Sequence, residues 1–297
     1  ENCGSTMQAV NLTALRDGSG ISDEVIRDRG YRTVTSAKEL MELGFSRTQA
    51  SYVPGLLLPL YTTDGGNSPA VYRPDIPRVV EDKSKRNPDG TYHQKVIKYE
   101  LQKGASIRLD CPPVCRPMLA DPSVPLWITE GQKKADSLAS RGLCAIALLG
   151  VWAFKGTNDL GGTVLLADFD YIALDSRDVR IVFDSDTMTR SDVRKALDRL
   201  SEHLQRKKAH TAAVYLPGGP NGKVGVDDWL VAGHTVEDLE ALVEAPRPLP
   251  QAAAALVELL DEAPRAIRRP LALVDGRAYA VTWLWAKITS TEHCNKQ

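Results

Sequence analysis

The chain has 297 residues, of which 43% are hydrophobic and 25% are charged, and this composition is typical of one large or two modest globular domains. The net charge of −1 excludes a chain that is basic throughout, so any contact with nucleic acid must be local. No run of the sequence approaches the roughly 20 apolar residues of a membrane helix, and no secretory leader is recognisable. We therefore expect a cytoplasmic protein without a membrane partner.

Five cysteines are spread along the chain, and their odd number argues against a disulfide framework and for a reducing compartment. Cys111 and Cys115 are the only close pair, in the sequence Cys-Pro-Pro-Val-Cys. A structural zinc ion needs four ligands, and no histidine stands at ligand spacing beside this pair. A proline-stiffened loop is the favoured interpretation.

The first 116 residues predict a frayed end followed by a small α+β module. Residues 1–20 are polar and aperiodic, which favours an unstructured or vector-derived terminus. A helix is predicted over Asp23–Arg29, and a second helix begins at the N-cap Ser36, with Glu39 three residues later, and ends at Gly44. Residues 53–110 alternate short apolar runs with turn signals and predict a β-rich segment that completes a module over 21–116.

A basic stretch runs through this module. Residues 73–116 contain ten Lys or Arg against six Asp or Glu, a net charge of +4. We predict nucleic-acid contacts for five of these basic residues, namely Lys83, Lys85, Arg86, Lys95 and Lys98. A solvated loop with no ligand is the alternative.

From residue 124 the pattern changes to alternating strands and helices. Apolar runs predict strands at 124–129, 144–149, 179–183 and 211–216, and amphipathic runs predict helices at 132–141 and 191–208. The expected fold class is α/β, with a mainly parallel sheet flanked by helices over 117–246. Residues 247–297 predict a helix from about residue 250 and a hairpin turning at Asp275-Gly276, as the start of a further domain.

Acidic residues follow three of the predicted strands. Glu130 follows the first strand, Asp184 and Asp186 follow the third, and Asp227 and Asp228 follow the glycine-rich loop after the fourth. In open parallel sheets, ligands collect beyond the carboxyl ends of the strands. Carboxylates gathered there repel one another unless a cation intervenes, and Mg²⁺, or Mn²⁺ in its place, suits an all-oxygen site. The sequence therefore predicts a metal site.

A second Asp-x-Asp pair complicates this interpretation. Asp168 and Asp170 have the same spacing as Asp184 and Asp186, but they lead directly into the apolar run Tyr-Ile-Ala-Leu. The chain there continues as an apolar element and does not leave the sheet. We interpret Asp168 and Asp170 as structural.

These segments together resemble the Toprim domain of bacterial primases, topoisomerases and related nucleases. The resemblance is closest to Toprim domains in phage and mobile-element replication proteins of the primase-helicase kind. It covers roughly residues 19–245 and rests on Glu130-Gly131, Lys134-Ala-Asp136, Gly150-Val151, Phe183-Asp184-Ser-Asp186 and Asp227-Asp228-Trp-Leu in this order. The resemblance implies that Glu130 acts as general acid or base or helps hold metal, and that Asp184 and Asp186 bind Mg²⁺. We find no match in this sequence to the zinc-binding domain that precedes the Toprim domain of cellular primases, and we therefore do not expect template recognition of that style.

Three lysines and a tryptophan are candidates for supporting roles. Lys133 and Lys134 lie in the first turn of the helix after Gly131, where free N–H groups and the helix dipole favour a phosphate. Lys155 lies in a loop after the second strand and is a candidate for nucleic-acid binding. Each lysine can equally be a solvated side chain, and we expect Trp152 to belong to the core and not to stack on a base.

The favoured function is metal-dependent phosphoryl transfer, of the primase-like nucleotidyl type, on single-stranded DNA with nucleotides as substrates. Glu130 would activate a hydroxyl group, and metal at Asp184 and Asp186 would neutralise the triphosphate. Two alternatives stay open: a Toprim-type phosphodiesterase or nuclease, and a non-catalytic DNA-binding module attached to a helicase in a longer protein. A solvated acidic rim without function is the remaining reading.

Overall fold

The computed structural model describes residues 7–66, 70–157, 161–188, 190–219 and 222–244, and the backbone of 271–274 and 277–280. The chain divides into two compact units, Glu1–Pro246 and Arg247–Gln297. The predicted α+β module and the predicted α/β domain both lie in the first unit. No helix among the residues described is long and apolar enough to cross a membrane.

The N-terminal half of the first unit is built on an antiparallel sheet with the strand order β1-β2-β3-β6. A separate hairpin, β4 and β5, projects from it with most of its residues exposed. The elements are α1 (Ala9–Ser19), α2 (Asp23–Arg29), β1 (Arg32–Val34), α3 (Ala37–Glu42), α4 (Arg47–Ala50), β2 (Gly55–Leu58), β3 (Val71–Pro74), β4 (Arg78–Arg86), β5 (Tyr92–Ile97) and β6 (Glu100–Leu101).

The second half contains a five-stranded sheet with the order β13-β12-β11-β7-β8, in which every pairing except that of β13 is parallel. This is the predicted α/β arrangement. The elements are β7 (Leu126–Glu130), α5 (Gln132–Ala139), β8 (Cys144–Leu148), β9 (Lys155–Thr157), β10 (Thr163–Leu165), β11 (Asp178–Val182), α6 (Ser191–Arg206), β12 (His210–Val214), α7 (Val226–Val231), α8 (Val236–Ala241) and β13 (Val243–Glu244). Short 3-10 helices lie at Pro113–Ala120, Ala167–Tyr171 and Ser185–Met188.

Local signals placed most of these elements correctly. The Ser22 side chain accepts a hydrogen bond from Val25 N at the start of α2, and Ser36 accepts one from Glu39 N at the start of α3. The central strands of the five-stranded sheet are largely apolar, and Trp127, Ile128 and Ile181 are completely buried.

The prediction of an unstructured terminus over residues 1–20 is wrong for residues 9–19, which form α1. Its Leu15 is completely buried, and the helix packs against α5 and α7. The local sequence is mostly polar and does not predict this helix, because α1 is stabilised by burial of Leu15 against partners that are distant in the sequence. Gly20, which has a left-handed backbone, ends the helix by donating its N–H to Leu15 O and Arg16 O.

The Cys111–Cys115 segment enters a 3-10 helix, Pro113–Ala120, where a loop was expected. Cys111, Cys115 and Cys144 are free thiols and all three are buried. In the second unit, β14 (Leu271–Val274) and β15 (Arg277–Ala280) pair antiparallel, as the predicted hairpin requires, and its predicted turn at 275–276 lies outside the described residues. The helix predicted from about residue 250 lies outside the described residues.

Candidate functional site

The predicted acidic residues emerge at one edge of the parallel sheet. Glu130 is the last residue of β7, and Asp184 follows β11 after the buried Phe183. The two strands are neighbours and parallel, with Thr129 opposite Val182, so their carboxyl ends meet. We predicted that Glu130, Asp184 and Asp186 lie at the same end of the sheet with carboxylates close enough to share a cation. The placement is confirmed, but the described side chains do not converge that closely.

Gly131 makes the turn from β7 into α5. Its φ of +94° is in the left-handed region, where a side chain would strain the backbone. The Gly131 N–H donates to Leu148 O of β8, and α5 begins at the next residue. This turn places Glu130 and the first turn of α5 beside the same space.

That space is a cavity of about 630 Å³. Both halves of the first unit contribute to it, because β3 and the segment after β5 face the ends of β7 and β11. Its acidic lining residues are Glu130, Asp184, Asp227 and Asp228, and its basic lining residues are Arg73, Lys98, Lys133, Lys134 and Lys223. Tyr99 also lines the cavity. Carboxylates and cations therefore face one another across a volume large enough for a nucleotide-sized ligand.

Two lysines contact Asp184. Lys134 Nζ lies 2.5 Å from Asp184 Oδ1, and Lys223 Nζ lies 2.7 Å from Asp184 Oδ2 and 3.7 Å from Asp186 Oδ2. Arg190 also contacts Asp186, at 3.4 Å. Within the described part of the chain, no three His, Cys, Asp or Glu side chains converge closely enough to hold a metal ion in these conformations. The expected convergence of carboxylates is replaced by ion pairs with lysine.

Burial shapes the ionisation of this cavity. It raises the pKa of Glu130; the charge of Lys134 opposes the shift and that of Asp184 adds to it. Burial likewise raises the pKa of Asp227 and lowers the pKa of Lys133. For Lys223, burial acts to lower the pKa, but the hydrogen bond and charge of Asp184 raise it overall. Acidic and basic groups are thus both held in a partly desolvated space.

Asp227 and Asp228 both reach the cavity, but their surroundings differ. The Asp228 carboxylate accepts a hydrogen bond of 3.0 Å from Gly225 N and so caps the start of α7. Asp227 is only 5% exposed, and its Oδ1 has no hydrogen-bond partner. An unsatisfied buried carboxylate oxygen is costly, so its presence calls for an explanation such as a bound ligand or ion. Asp227 is therefore the stronger candidate for a third acidic ligand.

The predicted nucleic-acid contacts separate into three places. Lys98 lines the cavity, whereas Lys83, Lys85, Arg86 and Lys95 are exposed on the β4–β5 hairpin. Lys155 lies apart from both groups, with its Nζ 3.7 Å from the centroid of the Trp152 ring. Trp152 was expected in the core, but it is 36% exposed and stacks on Phe154.

The second Asp-x-Asp pair is tied to basic side chains away from the cavity lining. Arg108 Nε donates to the buried Asp168 carboxylate at 2.9 Å, and Lys207 Nζ lies 2.6 Å from Asp170 Oδ1. Asp168 and Asp170 belong to the 3-10 helix Ala167–Tyr171. Their contacts agree with the structural interpretation of this pair.

Three lining residues were not singled out from the sequence: Arg73, Tyr99 and Lys223. Arg73 and Tyr99 belong to the basic stretch, but their approach to α5 depends on how the antiparallel sheet packs against it. Lys223 had a weak signal, because it lies in the glycine-rich loop that was expected to bring Asp227 back to the site.

The fold of this chain is similar to that of solved primase catalytic cores. Residues 116–236 match a family described as a domain of unknown function, DUF3854. An uncharacterized protein from Picosynechococcus sp. is 30% identical over 141 residues, which are 44% of this chain and 14% of that protein. The chain therefore spans about one seventh of the length of that curated relative.

Three solved structures are similar to the chain. The Aquifex aeolicus primase, with its zinc-binding and RNA polymerase domains, has a TM-score of 0.52 and 16% identity over 86% of this chain and 60% of that chain. A DnaG primase catalytic domain bound to single-stranded DNA has a TM-score of 0.51 and 17% identity over 89% and 80% of the two chains. The E. coli primase catalytic core has a TM-score of 0.50 and 16% identity over 88% and 81%. At these identities the likeness shows the fold, a mixed α/β arrangement like that of primase catalytic cores.

Proposed function

We propose that this chain is the catalytic module of a primase-like replication protein, with a Toprim-type site that uses Mg²⁺, or Mn²⁺ in its place, to join nucleotides on single-stranded DNA. One observation carries the proposal. Glu130 and Asp184 leave adjacent parallel strands at one edge and line a cavity that also contains five lysine or arginine side chains, within a fold like that of primase cores. A helicase partner and a phage or mobile-element origin stay predictions from the Toprim resemblance.

The donor chemistry of the site fits a hard divalent cation. Asp184, Asp186 and Asp227 offer carboxylate oxygens, and the buried Asp227 Oδ1 has no hydrogen-bond partner. Gly225 keeps this space open, since a Cβ there would lie 2.6 Å from Asp227 Oδ1 and from Lys134 Cε. In the proposed function Asp184 and Asp186, which a single ammonium group already spans, would hold the cation, and Asp227 would add an oxygen after its side chain moves toward them. A bound cation of this kind neutralises phosphate charge and lowers the pKa of a coordinated hydroxyl or water.

The remaining residues would bind and orient the substrates. Arg73 and Lys98 approach from the N-terminal half, and Lys133 lies in the first turn of α5, so a triphosphate in the cavity would meet positive charge from two sides. Glu130 stands at the end of β7, where its carboxylate can accept a proton from an attacking hydroxyl. These placements support a nucleotide bound with its phosphates toward the strand ends.

The proposed reaction is nucleotidyl transfer. The 3′-hydroxyl oxygen of the primer forms a bond to the α-phosphorus of the incoming nucleotide, and the bond from that phosphorus to the β-phosphate oxygen breaks. Pyrophosphate leaves, and the hydroxyl proton passes to Glu130. Hydrolysis of a phosphodiester would use water in place of the primer hydroxyl, with the same groups.

The test is an incubation of the protein with single-stranded DNA templates, labelled nucleotides and Mg²⁺ or Mn²⁺, with products resolved on one gel. We expect labelled primers from the wild type and a loss of roughly 100-fold or more in Glu130→Gln, which removes the proposed base. Template cleavage without primers would instead support the nuclease. Equal products from wild type and Glu130→Gln would overturn the assigned role of this site.

A further inference from the structure

Lys223 occupies the position between the two aspartates of the Asp-x-Asp pair. Its Nζ lies 2.7 Å from Asp184 Oδ2 and 3.7 Å from Asp186 Oδ2, so a single ammonium group spans both carboxylates. A cation that bound Asp184 and Asp186 together would have to lie in much the same place. A metal cation at this position would lie against the Lys223 ammonium group, and the two positive charges would repel strongly in a partly desolvated cavity. Lys223 and a metal ion therefore compete for the same oxygens.

Lys134 and Lys223 are not equivalent in this competition. Lys134 belongs to α5, its side chain is only 19% exposed, and its Cε packs close to Gly225. The Lys223 side chain is 48% exposed and lies in the loop between β12 and α7. The Lys223 side chain would therefore lose few packing contacts when it moves away from Asp184, because about half of that side chain already faces solvent or the cavity.

The backbone beside Lys223 is fixed next to the acidic pair. Val224 N donates to Ser185 Oγ at 2.9 Å, and Ser185 N donates to Val224 O at 2.9 Å. Ser185 is the residue between Asp184 and Asp186. These two hydrogen bonds keep the Lys223 backbone beside the site whichever way its side chain points. A released ammonium group thus stays within reach of a ligand in the cavity.

We propose that Lys223 exchanges partners during ligand binding: it holds Asp184 and Asp186 in the free site, yields them to a divalent cation, and then binds the phosphate of the nucleotide. This rests on the proposed function, because it requires a cation at the aspartates and a phosphate in the cavity. The exchange would keep the buried carboxylates neutralised before the cation arrives and would reuse the same positive charge afterwards.

The test compares Lys223→Met with Lys98→Met, since both lysines line the cavity but only Lys223 contacts the aspartates. Calorimetry measures Mg²⁺ binding to each protein, and then binding of inorganic triphosphate added as its Mg²⁺ complex. For Lys223→Met we expect Mg²⁺ to bind about threefold to fivefold more tightly and the triphosphate complex to bind at least about threefold more weakly. For Lys98→Met we expect weaker triphosphate binding and unchanged Mg²⁺ binding.

A second variant separates exchange from altered folding. Lys223→Arg keeps the positive charge and should return Mg²⁺ affinity to within about twofold of wild type. Unchanged Mg²⁺ affinity in Lys223→Met would overturn the exchange, as would the same Mg²⁺ effect in Lys98→Met. Mg²⁺ binding that Asp184→Asn with Asp186→Asn abolishes would uphold the proposed metal site in either case. Failure of wild type and Lys223→Met alike to bind Mg²⁺ would overturn both proposals.

Discussion

Two clusters of carboxylates and cations lie on opposite sides of helix α5, and they are built differently. In the first, Arg29 of α2 bonds Asp136 of α5 and Asp110, and all three side chains are completely buried. In the second, Asp184 bonds Lys134 and Lys223, and half of the Lys223 side chain is in solvent. We call these the Arg29 cluster and the Asp184 cluster.

In the Arg29 cluster, every nitrogen of the guanidinium group donates a hydrogen bond to a protein oxygen. The guanidinium donates to Asp136 from Nε and Nη2, and from Nη1 to Asp110 at 2.6 Å and to Pro59 O at 3.2 Å. The Tyr31 hydroxyl also donates to Asp136. This geometry joins the N-terminal module to α5. In the Asp184 cluster a point-like ammonium binds without such a fixed fork, and a cavity lies beside it. The fully buried and fully paired Arg29 is held in one position, whereas the half-exposed Lys223 can leave its carboxylates for another ligand.

The largest effect should come from breaking the Arg29 cluster. Arg29→Met leaves Asp110 and Asp136 as uncompensated buried charges, so we expect a loss of about 3–5 kcal/mol in the free energy of unfolding. Denaturant unfolding measures this loss. The control is Arg16→Met, which removes an exposed ion pair with Asp23 and should cost no more than about 1 kcal/mol. Similar losses in the two variants would remove the distinction between the clusters.

The Asp184 cluster should show the opposite response, with function lost and the fold kept. Asp184→Asn with Asp186→Asn removes two charges but little volume, so we expect Mg²⁺ affinity and any Mg²⁺-dependent catalysis to fall about 100-fold, equivalent to about 3 kcal/mol. The loss of DNA binding should be smaller, because the exposed basic hairpin lies outside the cavity.

Asp168→Asn with Asp170→Asn is the matched control for this variant. The same chemical change at the same spacing should lower stability through the Arg108 pair and leave Mg²⁺ affinity unchanged. Calorimetry and thermal melting distinguish the two double variants. Unchanged Mg²⁺ binding in the Asp184 and Asp186 variant would remove the central claim.

The basic hairpin tests whether DNA contacts lie outside both clusters. Lys83→Ala, Lys85→Ala and Arg86→Ala together remove three exposed charges from β4, so we expect single-stranded DNA affinity to fall about tenfold at moderate salt. The slope of log affinity against log salt should fall by up to about two units, since single strands release roughly 0.7 ion per contact. Anisotropy measures both quantities. A triple alanine variant at Lys38, Lys195 and Lys208 should leave the slope nearly unchanged, and equal slopes in the two triple variants would exclude the hairpin.

The smallest predicted effect concerns Asp227. Its carboxylate is buried with an unpartnered oxygen, and burial raises its pKa, so Asp227→Asn removes a poorly solvated charge. We expect a gain of about 0.5–2 kcal/mol in stability with a chelator present, and weaker Mg²⁺ binding. Asp228→Asn keeps an oxygen that can cap α7, so neither the free energy of unfolding nor that of Mg²⁺ binding should change by more than about 0.5 kcal/mol. Destabilisation in Asp227→Asn would show that this residue serves the fold.

Sequence reasoning worked best where neighbouring residues decide the outcome. Ser36 marks a helix start because an N-cap bonds a backbone N–H two or three residues away. The Asp184-x-Asp186 pair was separated from Asp168-x-Asp170 by the apolar run that follows the second pair. Element bounds, including those of β7, β11 and α6, came within two residues, since apolar periodicity records which face is buried.

Residues that meet only through packing were beyond that reasoning. The helix α1 depends on the burial of Leu15 against α5 and α7, and the Arg29 cluster joins residues more than 80 positions apart. Arg73 enters the cavity because β3 faces the end of β7, which no local pattern records.

The amino-acid sequence by itself determined the parallel sheet, the strand ends at which acidic residues emerge, and the glycine turn beside Glu130, because each depends on periodicity or on backbone freedom over a few residues. The tertiary structure alone decided which charges neutralise one another. Ion pairing depends on distance and burial in three dimensions. Only tertiary packing could therefore bring Lys223 between Asp184 and Asp186, and only packing could bury Arg29 against Asp136.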